Sequence, residues 1–97
     1  MTPDKHAKCA VLGYGSWATA IVKTLTVNHQ YVNWLVLNDD ILKSLEERSC
    51  NVKYLPWCYI DREFITPSKD INEVVRDVDI VILAMPSAFL TKFLEPL

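Results

Sequence analysis

The chain places its only two glycines within three residues, as Gly13-Tyr14-Gly15, between a short apolar run and a segment of helical period. An average chain of 97 residues would carry about seven glycines at the usual ~7% frequency. Elsewhere turns are made with Asn, Asp, Ser and Pro, so the pair is not generic turn chemistry. Cys9-Ala10-Val11-Leu12 shows no alternation, as expected of a strand buried on both faces of a parallel sheet. After Gly15, residues Trp17, Ala20, Ile21, Thr24 and Leu25 recur at helical spacing, which puts them on one face of a helix running to about Val27. Strand, glycine turn, helix is the context in which a G-x-G-x-x-G/A pattern carries meaning, and here it reads Gly13-Tyr14-Gly15-Ser16-Trp17-Ala18.

Each position has a physical reason. Gly13 permits a tight turn, Gly15 lets the backbone approach a pyrophosphate with no Cβ in the way, and Ala18 is small enough for close helix-strand packing. Orphan N–H groups at the helix start then face the anion, assisted by the helix dipole. A strand-to-helix turn with incidental glycines fits the motif alone about as well, so the rest of the chain has to decide between the two.

Tyr31 to Leu37 reads as a second strand, β-branched and aromatic, with Trp34 in its middle as a core residue rather than a stacking platform. Asn38 or Asp39 can cap a helix carrying Ile41, Leu42 and Leu45. Cys50 to Ile60 has no clear period and contains Pro56, which makes it loop. A weak third strand is expected around Glu63 to Thr66. Asp70 and Glu73 form an Asp-x-x-Glu capping box for a short helix that buries Ile71, Val74 and Val75. Ile80 to Met85 is the clearest strand, and Ser87 can cap a last helix with Phe89, Leu90, Phe93 and Leu94 as its apolar stripe. This β-α alternation predicts an α/β fold of Rossmann type: a partial parallel sheet of about four strands with helices on both faces, in order 3-2-1-4 if it follows the dinucleotide-binding half-fold. Ligand is then expected beyond the carboxyl ends of the strands, at Gly13–Ser16, Leu37–Asp39 and Ala84–Ser87.

Composition narrows the field. At 51% hydrophobic and 23% charged, the chain can bury a core, and its length suits one domain. A net charge of −2 gives no surplus to attract nucleic acid or anionic lipid, so neither is an expected partner. Met1 to Lys8 is polar rather than an apolar leader, and the three cysteines make an odd number, which suggests a reduced, cytoplasmic protein. Cys50, Cys58, His6 and His29 lack metal-ligand spacing, so no metal is expected.

With the turn, the second strand and Met85-Pro86-Ser87 in place, the chain resembles the amino-terminal part of bacterial NAD(P)-dependent glycerol-3-phosphate dehydrogenase, from about Lys8 to Leu97. Three segments carry the likeness: Val11 to Ala20 with its Gly-Ser-Trp, Asn51-Val52-Lys53-Tyr54-Leu55-Pro56, and Val78 to Ser87. The resemblance implies hydride transfer between dihydroxyacetone phosphate and sn-glycerol 3-phosphate, feeding phospholipid synthesis. It also implies that residues 1–97 are an incomplete dinucleotide-binding domain, lacking a helical second domain that grips substrate. Ser16 and Trp17 match positions touching the cofactor through the helix start. Pro86 and Ser87 match the turn near its nicotinamide half, and Tyr54 lies in a family loop near it, where a structural role serves equally well. With Gly13, Tyr14, Gly15, Leu37 and Asn38, these are the expected cofactor-binding residues.

Two departures from the family pattern matter. Arg often stands at the position of Leu37, where it can hold a 2′-phosphate, and Leu37 cannot. Asn38 can hydrogen-bond a ribose hydroxyl while Asp39 and Asp40 repel an added phosphate, so NAD is the expected cofactor, with NADP as the alternative. Secondly, the family's substrate-polarising lysine falls beyond Leu97, and Lys69 and Lys92 match no catalytic position. No catalytic residue is therefore assigned within the chain, and residues 1–97 alone are expected to bind cofactor without turnover. Readings left open are a non-catalytic nucleotide-binding module and a reductase of another substrate; uncovered apolar surface on the final helix is expected to favour self-association.

Overall fold

The structure, a computed structural model, describes residues 8–85. Four strands, β1 (Cys9–Leu12), β2 (Val32–Leu35), β3 (Ile65–Ser68) and β4 (Ile80–Leu83), form one sheet in the order β3-β2-β1-β4. Every pairing is parallel: Cys9 is level with Val32 and with Ile80, and Val32 is level with Ile65. The three helices are α1 (Ser16–Val27), α2 (Asp39–Arg48) and α3 (Ile71–Val75). This is the architecture expected from the β-α alternation, with the strand order of the dinucleotide-binding half-fold.

Both sheet faces are covered because β1 and β2 are apolar on both. Val11, Val32, Trp34 and Val36 pack on one side with Ala18 and Val22 of α1 and Ile41 and Leu45 of α2. Ala10, Leu12 and Leu35 pack on the other with Ile71 and Val74 of α3. Such period-two division across continuous apolar strands is what a doubly covered parallel sheet requires. Asn33, polar in the middle of β2, donates its side-chain amide to the Val74 carbonyl at 3.0 Å and so ties α3 to the sheet.

Several local expectations are corrected. Trp17, Ala20, Ile21, Thr24 and Leu25 share one face of α1 as expected, but the residues the helix buries are Ala18, Thr19, Val22 and Thr26. That bulkier stripe lines a shallow outward groove, with Ile21 and Leu25 half-buried. The helix leaves the turn directly against β1, and only a side chain as small as Ala18 fits there; this fixes the rotational phase of the whole helix. The third strand begins at Ile65, after a 3-10 turn over Arg62–Phe64, and it contains Pro67. An edge position tolerates that proline, since no neighbour needs its missing N–H. Only half of the expected capping box forms: Asp70 Oδ1 accepts from the Asn72 amide at 3.0 Å, while the Asp70 amide donates to Ser68 Oγ at 3.1 Å rather than to Glu73. The expected final helix with Phe89, Leu90, Phe93 and Leu94 lies outside the described residues.

Candidate cofactor site at the glycine turn

Because all four strands run in parallel, the segments after β1, β2 and β4 emerge at the same edge of the sheet. Gly13, Tyr14, Gly15, Ser16 and Trp17 follow β1, Leu37 and Asn38 follow β2, and Ala84 and Met85 follow β4. Between β1 and β4 the direction of winding reverses: α1 returns the chain to one side and α3 carries it to the other on the opposite face. Open α/β sheets form their ligand crevice at such a switch point. Pro86 and Ser87 lie outside the described residues.

The two glycines have different reasons to be there. Gly13 adopts φ +131°, and a Cβ on it would stand 2.3 Å from the Ala84 carbonyl oxygen at the end of β4. Its bareness is demanded by the protein itself. Gly15 has φ −78°, ordinary for any residue, and a Cβ on it would meet nothing within 4 Å. Among the described residues nothing forbids a side chain at Gly15, and the space it would fill is open.

Helix α1 starts at that open space and its N-terminus is left bare. Its N-cap, Gly15, supplies no side-chain hydrogen bond and its first turn holds no acidic residue. The other two α-helices are closed at the same end. Asn38 accepts from the Ile41 amide at 3.1 Å ahead of Asp39 and Asp40 in α2, and Asp70 caps α3, which has Glu73 in its first turn. The longest described helix thus has no side-chain cap and no acidic residue at the positive end of its dipole.

Behind the turn, three consecutive carbonyls are held by side chains. The buried Trp34 indole Nε1 donates to the Gly13 carbonyl at 2.6 Å. Asn51 Nδ2 donates to the Tyr14 carbonyl at 2.9 Å and to Thr19 Oγ1 at 2.9 Å. Thr19 Oγ1 in turn donates to the Gly15 carbonyl at 2.7 Å. Thr19, Trp34 and Asn51 are all fully buried. Asn51 Oδ1 accepts from the Lys53 and Tyr54 amides at 3.2 and 3.3 Å, so the 51–54 part of the loop is stapled to the glycine turn through one side chain.

The remaining expected site residues are accessible. Trp17 is 66% exposed, Tyr54 46% and Leu37 40%, each at or near the edge where the strands end. Tyr14 is half-buried against the α1-α2 core. Asn38 uses Oδ1 for its cap, which leaves its amide hydrogens as the part able to reach a ribose hydroxyl. Lys69, expected as solvated surface, forms an exposed ion pair with Asp39 at 2.9 Å. The sequence reading missed Thr19 and Asn51 as parts of this region and saw Trp34 only as core. A buried Trp needs a partner for its indole N–H, and that was the available signal.

Burial, then the neighbouring Asp79, raises the Cys9 thiol pKa above its ordinary value. Cys9 stands at the opposite end of β1 from the turn, so it has no part in this site. Among the described residues no His, Cys, Asp or Glu form a group of three able to hold a metal, and no helix is long and apolar enough to cross a membrane.

Comparison with known proteins agrees with this geometry. Residues 8–97 match the family model described as the N-terminus of NAD-dependent glycerol-3-phosphate dehydrogenase. A glycerol-3-phosphate dehydrogenase [NAD(P)+] of Treponema denticola is 36% identical over 91 residues, covering 93% of this chain and 25% of that protein. A glycerol-3-phosphate dehydrogenase [NAD(+)] of Candida tropicalis is 29% identical, covering 100% of this chain and 28% of its own length. The crystal structure of glycerol-3-phosphate dehydrogenase from Coxiella burnetii superimposes with a TM-score of 0.76 at 24% identity, over 87% of this chain and 26% of that one, which supports the fold. The chain spans about a quarter of the length of these relatives. With the family model covering nearly all of its residues, the chain belongs to the N-terminal NAD-dependent glycerol-3-phosphate dehydrogenase family.

Proposed function

We propose that residues 1–97 are the cofactor-binding part of a glycerol-3-phosphate dehydrogenase, acting in the cytoplasm and supplying glycerol 3-phosphate for phospholipid synthesis. The single observation that carries the reading is Gly15: the described residues give no internal reason for a glycine there, while a pyrophosphate lying against the turn gives one. The bare N-terminus of α1 supports the same ligand.

In this reading the amides of Tyr14, Gly15 and Ser16 bind the pyrophosphate and Gly13 shapes the turn that presents them. Trp17 and Tyr54 flank it as exposed aromatics, Leu37 and Asn38 receive the adenosine ribose, and Pro86 and Ser87 border the nicotinamide half. The bound dinucleotide supplies or accepts the hydride that interconverts dihydroxyacetone phosphate and sn-glycerol 3-phosphate. This chain's own residues bind and orient; the groups that polarise the carbonyl and hold the substrate phosphate belong to segments outside residues 1–97. NAD is preferred to NADP because Leu37 offers a 2′-phosphate no charge and Asp40 stands next to the ribose position.

Titrating NADH into residues 1–97 while following tryptophan fluorescence tests the reading, with saturable binding and no oxidation of NADH by dihydroxyacetone phosphate as the expected result. Absence of binding in a folded sample refutes it, and turnover by this segment alone refutes the division of labour. Exposed Ile80, Val81 and Leu83 on β4, which among the described residues pairs on one side only, support self-association of the isolated segment, to be read by sedimentation.

A further inference from the structure

We infer that Thr19, Trp34 and Asn51 are positioning residues that lock the glycine turn with its amides outward, and that cofactor affinity depends on this lock. The inference rests on the cofactor reading above for what the turn holds. Its structural half stands without it.

The reasoning starts from the peptide plane. No cis bond is present among the described residues, and in a trans peptide the carbonyl of one residue and the N–H of the next point in opposite directions. The Gly13 carbonyl is drawn inward by Trp34, so the Tyr14 amide points the other way. Asn51 draws in the Tyr14 carbonyl, which turns the Gly15 amide out. Thr19 draws in the Gly15 carbonyl, with its backbone amide adding a second bond at 2.9 Å, which turns the Ser16 amide out. Three successive donors therefore face the side away from the core, the Tyr14 and Gly15 amides set by buried side chains and the Ser16 amide by the first backbone bond of α1 together with the Thr19 hydroxyl.

Such a frame answers a problem that the glycines create. A turn containing two glycines can flip its peptide planes at little steric cost. One flip would present a carbonyl oxygen to the pyrophosphate instead of an N–H, replacing attraction by repulsion. The frame opposes the flip because a carbonyl turned away from a buried donor leaves that donor, and itself where it is buried as at Gly13, without a partner and with a desolvation penalty. Asn51 is the centre of the arrangement. It is fully buried, contacts both the turn and Thr19 through Nδ2, and holds the Lys53 and Tyr54 amides through Oδ1. Its replacement by Asp keeps the acceptor for the loop and removes the donors for the turn.

Two variants, Asn51→Asp and Thr19→Val, test the proposal with two readouts. The first needs no ligand: the chain has only two glycines, so their amide signals are readily identified in a 15N-labelled sample. The 15N relaxation of Gly15 is expected to match that of β1 in the unmodified chain and to show fast motion in both variants, with β1 and α2 unchanged. The second compares NADH with adenosine. In Asn51→Asp, NADH affinity is expected to fall about tenfold, equivalent to ~1.4 kcal/mol, while adenosine affinity stays level because adenosine lacks the pyrophosphate. Unchanged Gly15 relaxation in a folded variant overturns the proposal. So does an equal loss for NADH and adenosine, or loss of the folded spectrum by both variants, since the residues would then serve the whole domain. An unmodified chain that fails to bind NADH but loses Gly15 order in the variants refutes the cofactor reading alone and leaves the frame standing.

Discussion

Placing alanine at each glycine in turn separates what the fold demands from what a ligand demands. At Gly13 the new methyl would sit 2.3 Å from the Ala84 oxygen and 2.9 Å from its carbonyl carbon, both backbone atoms that can yield only by moving β4. The φ of +131° adds strain, about 1–3 kcal/mol for a sparsely populated backbone state. Overpacking contributes another ~1–3 kcal/mol. Gly13→Ala is therefore expected to lose about 2–6 kcal/mol, a large part of the stability of a domain this small. At Gly15 no contact arises and φ is −78°. The entropy removed from the unfolded chain, about 0.4–1 kcal/mol, offsets the poorer N-cap that Ala makes, and stability should move by less than ~1 kcal/mol. Binding should reverse the order of severity, because the methyl of Gly15→Ala occupies the space proposed for the pyrophosphate. Urea unfolding followed by tryptophan fluorescence gives the stabilities, and NADH titration of the folded variants gives the affinities. A Gly15→Ala protein that binds NADH as tightly as the unmodified chain would refute the assignment of that space, and a fully stable Gly13→Ala would refute the packing argument.

Leu37→Arg should raise affinity for NADPH relative to NADH, since a guanidinium can engage a 2′-phosphate in paired hydrogen bonds; competitive titration of the two cofactors checks it. Asn38→Ala should cost about 1 kcal/mol through loss of the α2 cap, measured as a lower urea midpoint. Cys9 has a pKa raised first by burial and second by Asp79. The unfolded thiol thus releases its proton at lower pH than the folded one, so stability from this group should fall as pH rises through the ordinary thiol range and level off above the folded pKa. Comparing urea midpoints of the unmodified chain and Cys9→Ala across alkaline pH isolates this slope, and the difference between them should vanish at neutral pH except for a constant offset.

The order of elements and the position of the glycine turn were legible from the chain alone, while the sheet order 3-2-1-4 followed only on taking the dinucleotide-binding half-fold as the template. The first two depend on patterns that survive in one dimension: uninterrupted apolar runs for doubly covered strands, helical spacing between them, and bare residues at a turn. The same local logic located Asn38 and Asp70 as helix caps. Where reading failed, the deciding contact was remote. Periodicity grouped the Trp17 stripe on one face of α1, but which face is buried follows from how closely the helix lies on β1, which its own sequence does not contain. The start of β3 is set by its partner β2, which accepts Pro67 because the strand is an edge.

The glycine pair itself shows the division most clearly. The sequence by itself determined that a short bare turn joins the first strand to the first helix, because two glycines and Ala18 stand at fixed spacing. Only the tertiary structure decided that Gly13 answers to Ala84, 71 positions later, whereas a side chain at Gly15 would meet none of the described residues. It also brought Asn51 and Trp34 beneath the turn. Hydrogen bonds between residues separated by 21 and 37 positions have no periodic signature, since they are created by the docking of a loop and a strand that propensity alone does not bring together.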